Sequence, residues 1–357
     1  MMNQVNQLDF ERQPFFIGLD VHKKSWTVTI RSNQMHLKTF SMNPSSQELY
    51  GYMNKHYPGG LYHTVYEAGY CGFWIQKQLE GCGFHSIVIN PADVPTTHKE
   101  KTNKRDKVDS RKLSRELENG SLRGIYIPDE FHQQLRTLCR LRYRIIQSQT
   151  RVKNRIKGIL SFYGIFLPDH CELSHWSRAF IRWLQSLEFS FPMGTESLRF
   201  CIEELLGHRK RLAELIRVLR KNINQYELSQ LINNICSVPG IGFVTATTLY
   251  CELIDINRFY NLDHLASYVG LVPSVAGSGD WESDRGLTFR YNQHLRYLLV
   301  EAAWIAVRKD PVLTLKFSQL TRRMTKQNAI IRIAKKLLSR VRYVWKHKER
   351  YVPGVIK

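Results

Sequence analysis

The sequence predicts an α/β domain at the N-terminus, a helical middle and a mostly helical C-terminal third. Three observations carry this. Short strand-like runs alternate with helical ones before residue 125. Long stretches with apolar residues three and four apart fill the middle. Glycine- and proline-punctuated helices make up the rest. The boundaries this reading sets are 12–125, 126–230 and 231–350.

Taken in order, Phe15, Ile17 and Leu19 alternate with Phe16, Gly18 and Asp20 as a strand. Trp26, Val28 and Ile30 share one face of a second, and His22-Lys23-Lys24-Ser25 turns between them. Met35 to Ser41 adds a third short strand. Ser45 to His56 has helical spacing and stops before Pro58-Gly59-Gly60. Leu61 to Tyr66 is a strand with Glu67 at its C-terminal end. Trp74 to Leu79 is a helix closed by Gly81 and Gly83, and HSIVIN (85–90) is a buried strand ended by Pro91. Residues 106 to 119 form a helix with Gly120 behind it.

In the middle, Leu138, Leu141, Ile145, Val152, Ile156 and Ile159 make an a/d seam with a polar slot at Gln149. A second such helix runs from about Glu196 to Tyr226 through Leu198, Ile202, Leu205, Leu212, Leu215, Leu219 and Ile223. A looser stretch with Pro168, Pro192 and Gly194 separates them. The pair reads as an antiparallel hairpin, a subunit-bridging coiled coil or a plain bundle within one subunit. In the last third, Pro239-Gly240-Ile241-Gly242 between two apolar helices resembles the turn of a helix-hairpin-helix, whose glycines let backbone N–H groups approach a phosphate. A Gly/Ser loop, VPSVAGSGDWESDRG, follows Gly270. Asn292 to Val307 is helical. A basic helix over about Gln327 to Lys348 carries Arg332, Lys335 and Lys336, which either track a phosphate backbone or form a solvated face.

Charge narrows the partners. The 357 residues hold 52 Lys and Arg against 31 Asp and Glu, a formal net charge of +21. Such an excess favours polyanions, with nucleic acid first among them. The seven cysteines include no C-x-x-C pair, which excludes a zinc ribbon or finger and fits reduced thiols in a cytosol. MMNQVNQLDFERQ has no apolar signal core, and no run is long enough to span a membrane. The expectation is a soluble, intracellular protein with no membrane contact.

Against this basic background the carboxylates stand out. Asp20 and Glu67 end strands, where adjacent strand ends can set two carboxylates side by side. Asp106 and Asp109 are three apart on a helix and share a face. Four clustered carboxylates repel unless cations bind them, and oxygen donors of this kind suit Mg²⁺ or Mn²⁺. Each residue singly has a plainer reading: a turn residue, a solvated strand end, surface ion pairs. Lys23, Lys24, Lys104 and Arg105 lie close by in sequence and are candidate nucleic-acid contacts, with Gly240, Gly242, Arg332, Lys335 and Lys336 further along. Tyr62, Tyr66, Tyr70, Phe73 and Trp74 flank Glu67, either as core or as stacking partners for nucleotides.

The order of a GLDVHK-type first strand, an acidic strand end and an acidic helix resembles the ribonuclease H fold of RuvC-like nucleases. The chain as a whole, from Phe16 to about Arg308, resembles the IS110-type, or DEDD, transposases. The segments that carry the resemblance are IGLDVHKKSW, VYEAGYCGFW, KRDKVDSRKLSREL, ICSVPGIGFVTATTL, HLASYVGLVPSVAGSG and NQHLRYLLVEAAW. It implies that Asp20, Glu67, Asp106 and Asp109 are metal ligands. It implies a catalytic serine after Gly-Leu-x-Pro, assigned to Ser278 with Ser274 as the fallback. It further implies covalent phosphoserine chemistry, donor and target DNA as substrates, a noncoding guide RNA from the element, and a homo-oligomer, dimer or tetramer. The sequence departs from the family pattern where the usual serine pair is Gly277-Ser278. It departs again where a basic Gly-rich tract is replaced by Asp280-Trp281-Glu282-Ser283-Asp284-Arg285, and where Lys-Thr-Asp is Lys101-Thr102-Asn103. Two other readings stay open: a RuvC-like endonuclease that uses metal-activated water, and a non-catalytic nucleic-acid-binding relative.

Overall fold

The computed structural model describes residues 10–95, 106–278, 281–288 and 291–353. The side chains of 106–107, 274–278 and 281–285 are outside that description. The chain divides into two units, Met1–Ile127 and Pro128–Lys357.

The first unit is built on a five-stranded sheet in the order β3-β2-β1-β4-β5. β1 is Pro14–Val21, β2 Trp26–Ser32, β3 Met35–Met42, β4 Leu61–Glu67 and β5 His85–Ile89. β1, β4 and β5 run parallel, whereas β2 is antiparallel to β1 and β3 antiparallel to β2. The tight His22–Ser25 turn makes the first hairpin, closed by the His22 N–H donating to the Ser25 carbonyl at 3.1 Å. The parallel neighbours each need a crossover helix. α1 (Ser46–His56) joins β3 to β4, and its N-terminus is capped by Ser45, whose hydroxyl accepts from the Glu48 N–H. α2 (Trp74–Gly81) joins β4 to β5. Phe15, Ile17 and Leu19 of β1 bury one face with Leu49 and Met53 of α1 and Ile75 and Leu79 of α2.

The opposite face belongs to α3 (Asp106–Glu118). A Cβ on Gly18 would lie 2.1 Å from the Ser110 carbonyl oxygen and 2.5 Å from the Ser114 nitrogen. Only glycine lets the helix backbone come this close to β1. Ser110 then hydrogen-bonds Thr29 on β2 through their buried hydroxyls at 2.9 Å. Arg31 of β2 pairs with Glu118 at the other end of the helix, 2.7 Å apart. Leu113 packs with Val65, Ile89 and Val94. The architecture is a mixed α/β unit followed by a helical remainder, and it fits the ribonuclease H-like expectation.

The second unit is mostly helical. α4 (Glu130–Phe162) and α6 (Pro192–Gln225) have 33 and 34 residues, about 50 Å each. They pack antiparallel. Phe131 meets Tyr226 at 4.7 Å between ring centroids, and Arg155 pairs with Glu204 at 2.8 Å near the far end. At that far end Val152, Ile156 and Leu160 share a core with Leu198, Ile202 and Leu205, closed by α5 (Arg178–Gln185). At the near end Leu135 and Cys139, with Leu215, Leu219 and Ile223, join the large core of the C-terminal helices. The expected seam is corrected at one position: Leu141 is 45% exposed, while Leu135 and Cys139 are buried. The near half of α4 faces both α6 and the helix Phe243–Leu253, so a single 3.5-residue stripe does not describe it.

α7 (Ser229–Cys236), α8 (Phe243–Leu253) and α9 (Leu262–Val269) precede a two-stranded antiparallel sheet, β6 (Pro273–Ser278) with β7 (Trp281–Leu287). The segment expected to be a Gly/Ser loop is therefore a hairpin. Ladder hydrogen bonds between the two arms order the backbone despite its small residues. α10 (Gln293–Lys309), α11 (Pro311–Thr321) and α12 (Lys326–His347) complete the unit. Asp310, 2% exposed, caps α11 and binds Arg340 of α12 at 2.5 Å, fixing the corner between them. Among the described residues no helix is long and apolar enough to cross a membrane.

Seating α3 on Gly18 should be stability-critical. Gly18→Ala is expected to lower unfolding stability by about 1–3 kcal/mol through overpacking against backbone, read as an earlier urea midpoint. An unchanged midpoint would mean that α3 does not rest on β1.

Candidate active site

The parallel register sets the geometry. Leu19 is opposite Tyr66, so Asp20 and Glu67 follow as the next residues on neighbouring strands, about 4.8 Å apart in backbone. Side chains alternate along a strand, so Asp20 shares the face of Gly18, and Glu67 shares that of Val65. Gly18 lies under α3, and Val65 packs with Leu113 of α3. Both carboxylates therefore occupy the α3-covered face, at the C-terminal edge of the parallel strands.

The direction of α3 completes the picture. Ser110 lies over Thr29 and Glu118 over Arg31, and Thr29 and Arg31 pair with Gly18 and Phe16. α3 therefore runs antiparallel to β1, and its first turn, with Asp106 and Asp109, extends toward the level of Asp20. Asp109 is half-buried. The Asp106 side chain, and all of Lys104, Arg105 and Lys101-Thr102-Asn103, lie outside the described residues. Among the described residues no three His, Cys, Asp or Glu side chains form a ready metal cage. The donor chemistry nevertheless fits a hard divalent cation, because every candidate ligand offers carboxylate oxygen.

Sequence reasoning treated His22 only as a turn residue, but the structure brings it to the site. Its Nε2 lies 3.4 Å from an Asp20 oxygen, and its Nδ1 is 3.3 Å from the Tyr70 hydroxyl. Lys23 stands 5.8 Å from the Tyr70 ring centroid, and Lys23 and Lys24 are both exposed. The five aromatics around Glu67 divide. Tyr62 and Tyr66 are core, whereas Tyr70 is 65% and Trp74 48% exposed. Tyr66 donates to the Gly72 carbonyl at 3.0 Å and accepts from the Gln76 N–H, and burial pushes its phenol up to about 12. It thereby ties the loop after Glu67 to the sheet.

In the second unit Ser278 ends β6 opposite Trp281 at the tip of the hairpin, and Ser274 lies near its base. Gly240 has φ +88°, and a Cβ there would meet the Ala302 carbonyl oxygen of α10 at 2.4 Å. It is the contact point between the turn and α10. Gly242, the residue before α8, has open space where a Cβ would stand. Arg332 and Lys336 are exposed on α12, and Lys335 pairs with Asp263 at 2.7 Å. The second unit also holds a buried charge network. Glu252 of α8, with 0% exposure, accepts two hydrogen bonds from Arg140 at 2.7 and 2.9 Å and one from Asn292 at 2.9 Å, and Arg136 stands 3.4 Å away. Asn292 in turn caps α10. Burial alone would raise the Glu252 pKa. Its hydrogen bonds and charge contacts with Arg140, then Arg136 and Asn292, outweigh that and hold it below the usual value.

A DEDD-type IS110 transposase model matches residues 17–165, and a model described as the transposase IS116/IS110/IS902 family matches residues 232–318. The chain belongs to the IS110 transposase family. The first match spans the sheet, α3 and α4; the second spans α8, the serine hairpin and α10. This IS110-family chain is 27% identical over 245 residues to the y4qE protein of Sinorhizobium fredii, covering 68% of the chain and 58% of that protein. It is 27% identical to the transposase for insertion sequence element IS1111A of Coxiella burnetii, covering 67% and 64%. With the transposase for IS1533 of Leptospira borgpetersenii the identity is 22%, covering 82% and 85%. The chain thus spans less than two thirds of the length of the first two relatives.

The Glu252 network should be costly to break. Glu252→Gln leaves two arginines without their buried counter-charge and is expected to cost about 3–5 kcal/mol. The sign with pH follows from the depressed pKa. The contribution is complete above the ordinary value of 4.5 and is lost as pH falls through the lower folded value. Denaturant titrations from pH 7 downward should show a shallower acid loss in the Gln variant than in the wild type. Parallel curves would remove Glu252 from the account.

Proposed function

We propose that this chain cuts and rejoins DNA as the transposase of an insertion sequence, with Ser278 as nucleophile and the Asp20, Glu67, Asp106, Asp109 cluster as its electrostatic partner. The observation that carries the reading is the register of β1 and β4, which sets Asp20 beside Glu67 under the helix that bears the other two acids. The Ser278 hydroxyl attacks phosphorus, and its proton passes to a nearby base. The bond from phosphorus to the 3′-oxygen breaks, and that oxygen takes up a proton. The strand then ends in a free 3′-hydroxyl, with its 5′-phosphate esterified to Ser278. Attack by the 3′-hydroxyl of an exchanged strand reverses these steps and reseals DNA without external energy. Asp20, Glu67, Asp106 and Asp109 would hold Mg²⁺ or Mn²⁺, whose charge supplies stabilisation at the phosphate.

His22 orients Asp20 and ties it to Tyr70, so the strand end keeps one geometry. Lys23, Lys24, Lys104 and Arg105 neutralise backbone phosphates beside the acids, and Gly242 offers backbone N–H groups to another phosphate. The RuvC-like unit, the helical hairpin and the serine-bearing C-terminal region act as three functional domains. Exchange of two duplexes needs more than one copy of each site, so a homo-oligomer is part of the proposal, with the long helices α4 and α6 available to span copies. A noncoding RNA of the element selects donor and target DNA by pairing, and the protein reads heteroduplex shape through its basic surface.

The test uses full-length protein with element-end DNA, target DNA, flanking RNA and Mg²⁺. Wild type should yield a protein–DNA adduct mapping to Ser278. Ser278→Ala should yield none and lose rejoining by at least about 10³-fold, the scale for removing a nucleophile. Wild-type rejoining by that variant sinks the serine assignment, and cleavage without an adduct points to water as nucleophile. Asp20→Asn and Glu67→Gln should abolish cleavage while leaving DNA binding within a few-fold; retained turnover would dispose of the acidic site.

A further inference from the structure

A cavity of about 790 Å³ lies at the base of the serine hairpin, between β7, α10 and the first turns of α12. Its walls are apolar, formed by Leu287, Ile331 and the half-buried ring of Trp304, which Phe317 braces edge-on at 5.6 Å between centroids. Its rim is polar and basic, formed by Asn328, Arg332 and Lys335. Among the described residues Arg332 has no hydrogen-bond or ion-pair partner. Among the described residues Lys335 is held by Asp263 alone, whose side chain is 77% exposed, and such a surface pair is weak enough to exchange for a phosphate. The size is that of a small-ligand site. An aromatic wall, an amide at the rim and an exposed guanidinium beside an exchangeable ammonium match the two halves of a nucleotide: a flat apolar base with polar edges, and an anionic phosphate.

We propose that this cavity takes an unpaired nucleobase of the DNA strand engaged by the hairpin, with Trp304 contacting the base, Asn328 its edge, and Arg332 and Lys335 the adjoining phosphate. The proposal rests on the nucleic-acid reading above and deepens it: the substrate is a strand with a base out of its stack. The hairpin gives the site its place. Leu287 and Pro273 pair at its base, and Ser278 is five residues further along, about 17 Å away at strand rise. A base held here fixes the register of the strand relative to the serine. Base extrusion costs least where pairing is already broken, which is the condition of a strand being exchanged.

The test measures binding of the full chain to two single strands of equal charge, a 20-nucleotide oligothymidylate and its fully abasic analogue, with a duplex as control. Wild type should prefer oligothymidylate. Trp304→Ala should weaken that strand by about fivefold or more, the scale of one stacked base, and leave the abasic strand and the duplex unchanged. Asn328→Trp, at an exposed helix position, fills the cavity without touching the core and should reproduce the selective loss even if Trp304→Ala folds poorly. Arg332→Gln should weaken all three ligands alike. Equal loss on both single strands in Asn328→Trp, or no loss on either, overturns the pocket while duplex binding leaves the broader reading standing. A change of oligomeric state in Asn328→Trp with unaltered DNA affinity assigns the cavity to a contact between copies and also overturns it. Failure of wild type to bind any of the three strands would overturn the nucleic-acid reading itself.

Discussion

The absence of one side chain at Gly18 is the constraint on which the N-terminal unit depends. With no Cβ in the way, α3 descends onto β1 until its backbone fills the space a methyl group would need. Its serine then reaches Thr29, and its leucine closes the small core with Val65 and Ile89. Two residues beyond the glycine is Asp20, and on the next strand at the same level is Glu67. Close approach of a helix to a sheet and gathering of acids are one event here. The same contact that lowers the energy of the fold brings the first turn of α3 toward the strand-end carboxylates. Like charges resist that approach, and a bound cation would bring packing and electrostatics into agreement.

The second unit solves a different problem. Two helices about 50 Å long cannot hold a fixed direction through their own pairing alone, and each end is anchored in a separate core. At the near end, among the C-terminal helices, a buried carboxylate does the anchoring. Glu252 joins α4 through two arginines and joins the N-terminus of α10 through the capping Asn292. A buried pair contributes little net stability, but its geometry is exacting. The network therefore registers α4 against α8 and α10, and α10 lines the cavity at the base of the hairpin.

Much of this was legible in the residues. The alternation of Phe15, Ile17 and Leu19 and the apolar HSIVIN run became strands, and His22–Ser25 the turn of the first hairpin, because period-2 burial and turn residues need no long-range information. All but one of the seven seam positions named on α6 are fully buried, and Leu212 is half-buried. Leu141 broke the pattern on α4, since its half of the helix has two partners and the apolar stripe follows both. The 178–185 helix inside the looser stretch and the 311–321 helix were missed; both are short, and their burial depends on helices distant in sequence. The serine segment read as a loop because glycine and serine favour turns, yet cross-strand pairing with 281–287 made it a hairpin.

Composition and motif order were enough to determine a basic chain of the IS110 family with Asp20 and Glu67 at strand ends, because charge and alternation are local properties. Only the tertiary structure decided that those two strands are parallel neighbours in matched register, that His22 and Tyr70 attend Asp20, that Gly240 is a packing contact for α10, and that a cavity opens under the hairpin. Apart from the local contact of His22 with Asp20, these are relations between residues tens of positions apart along the chain. No local pattern encodes which of many compatible partners a surface will bury, and that choice is made by shape and close packing when the chain folds.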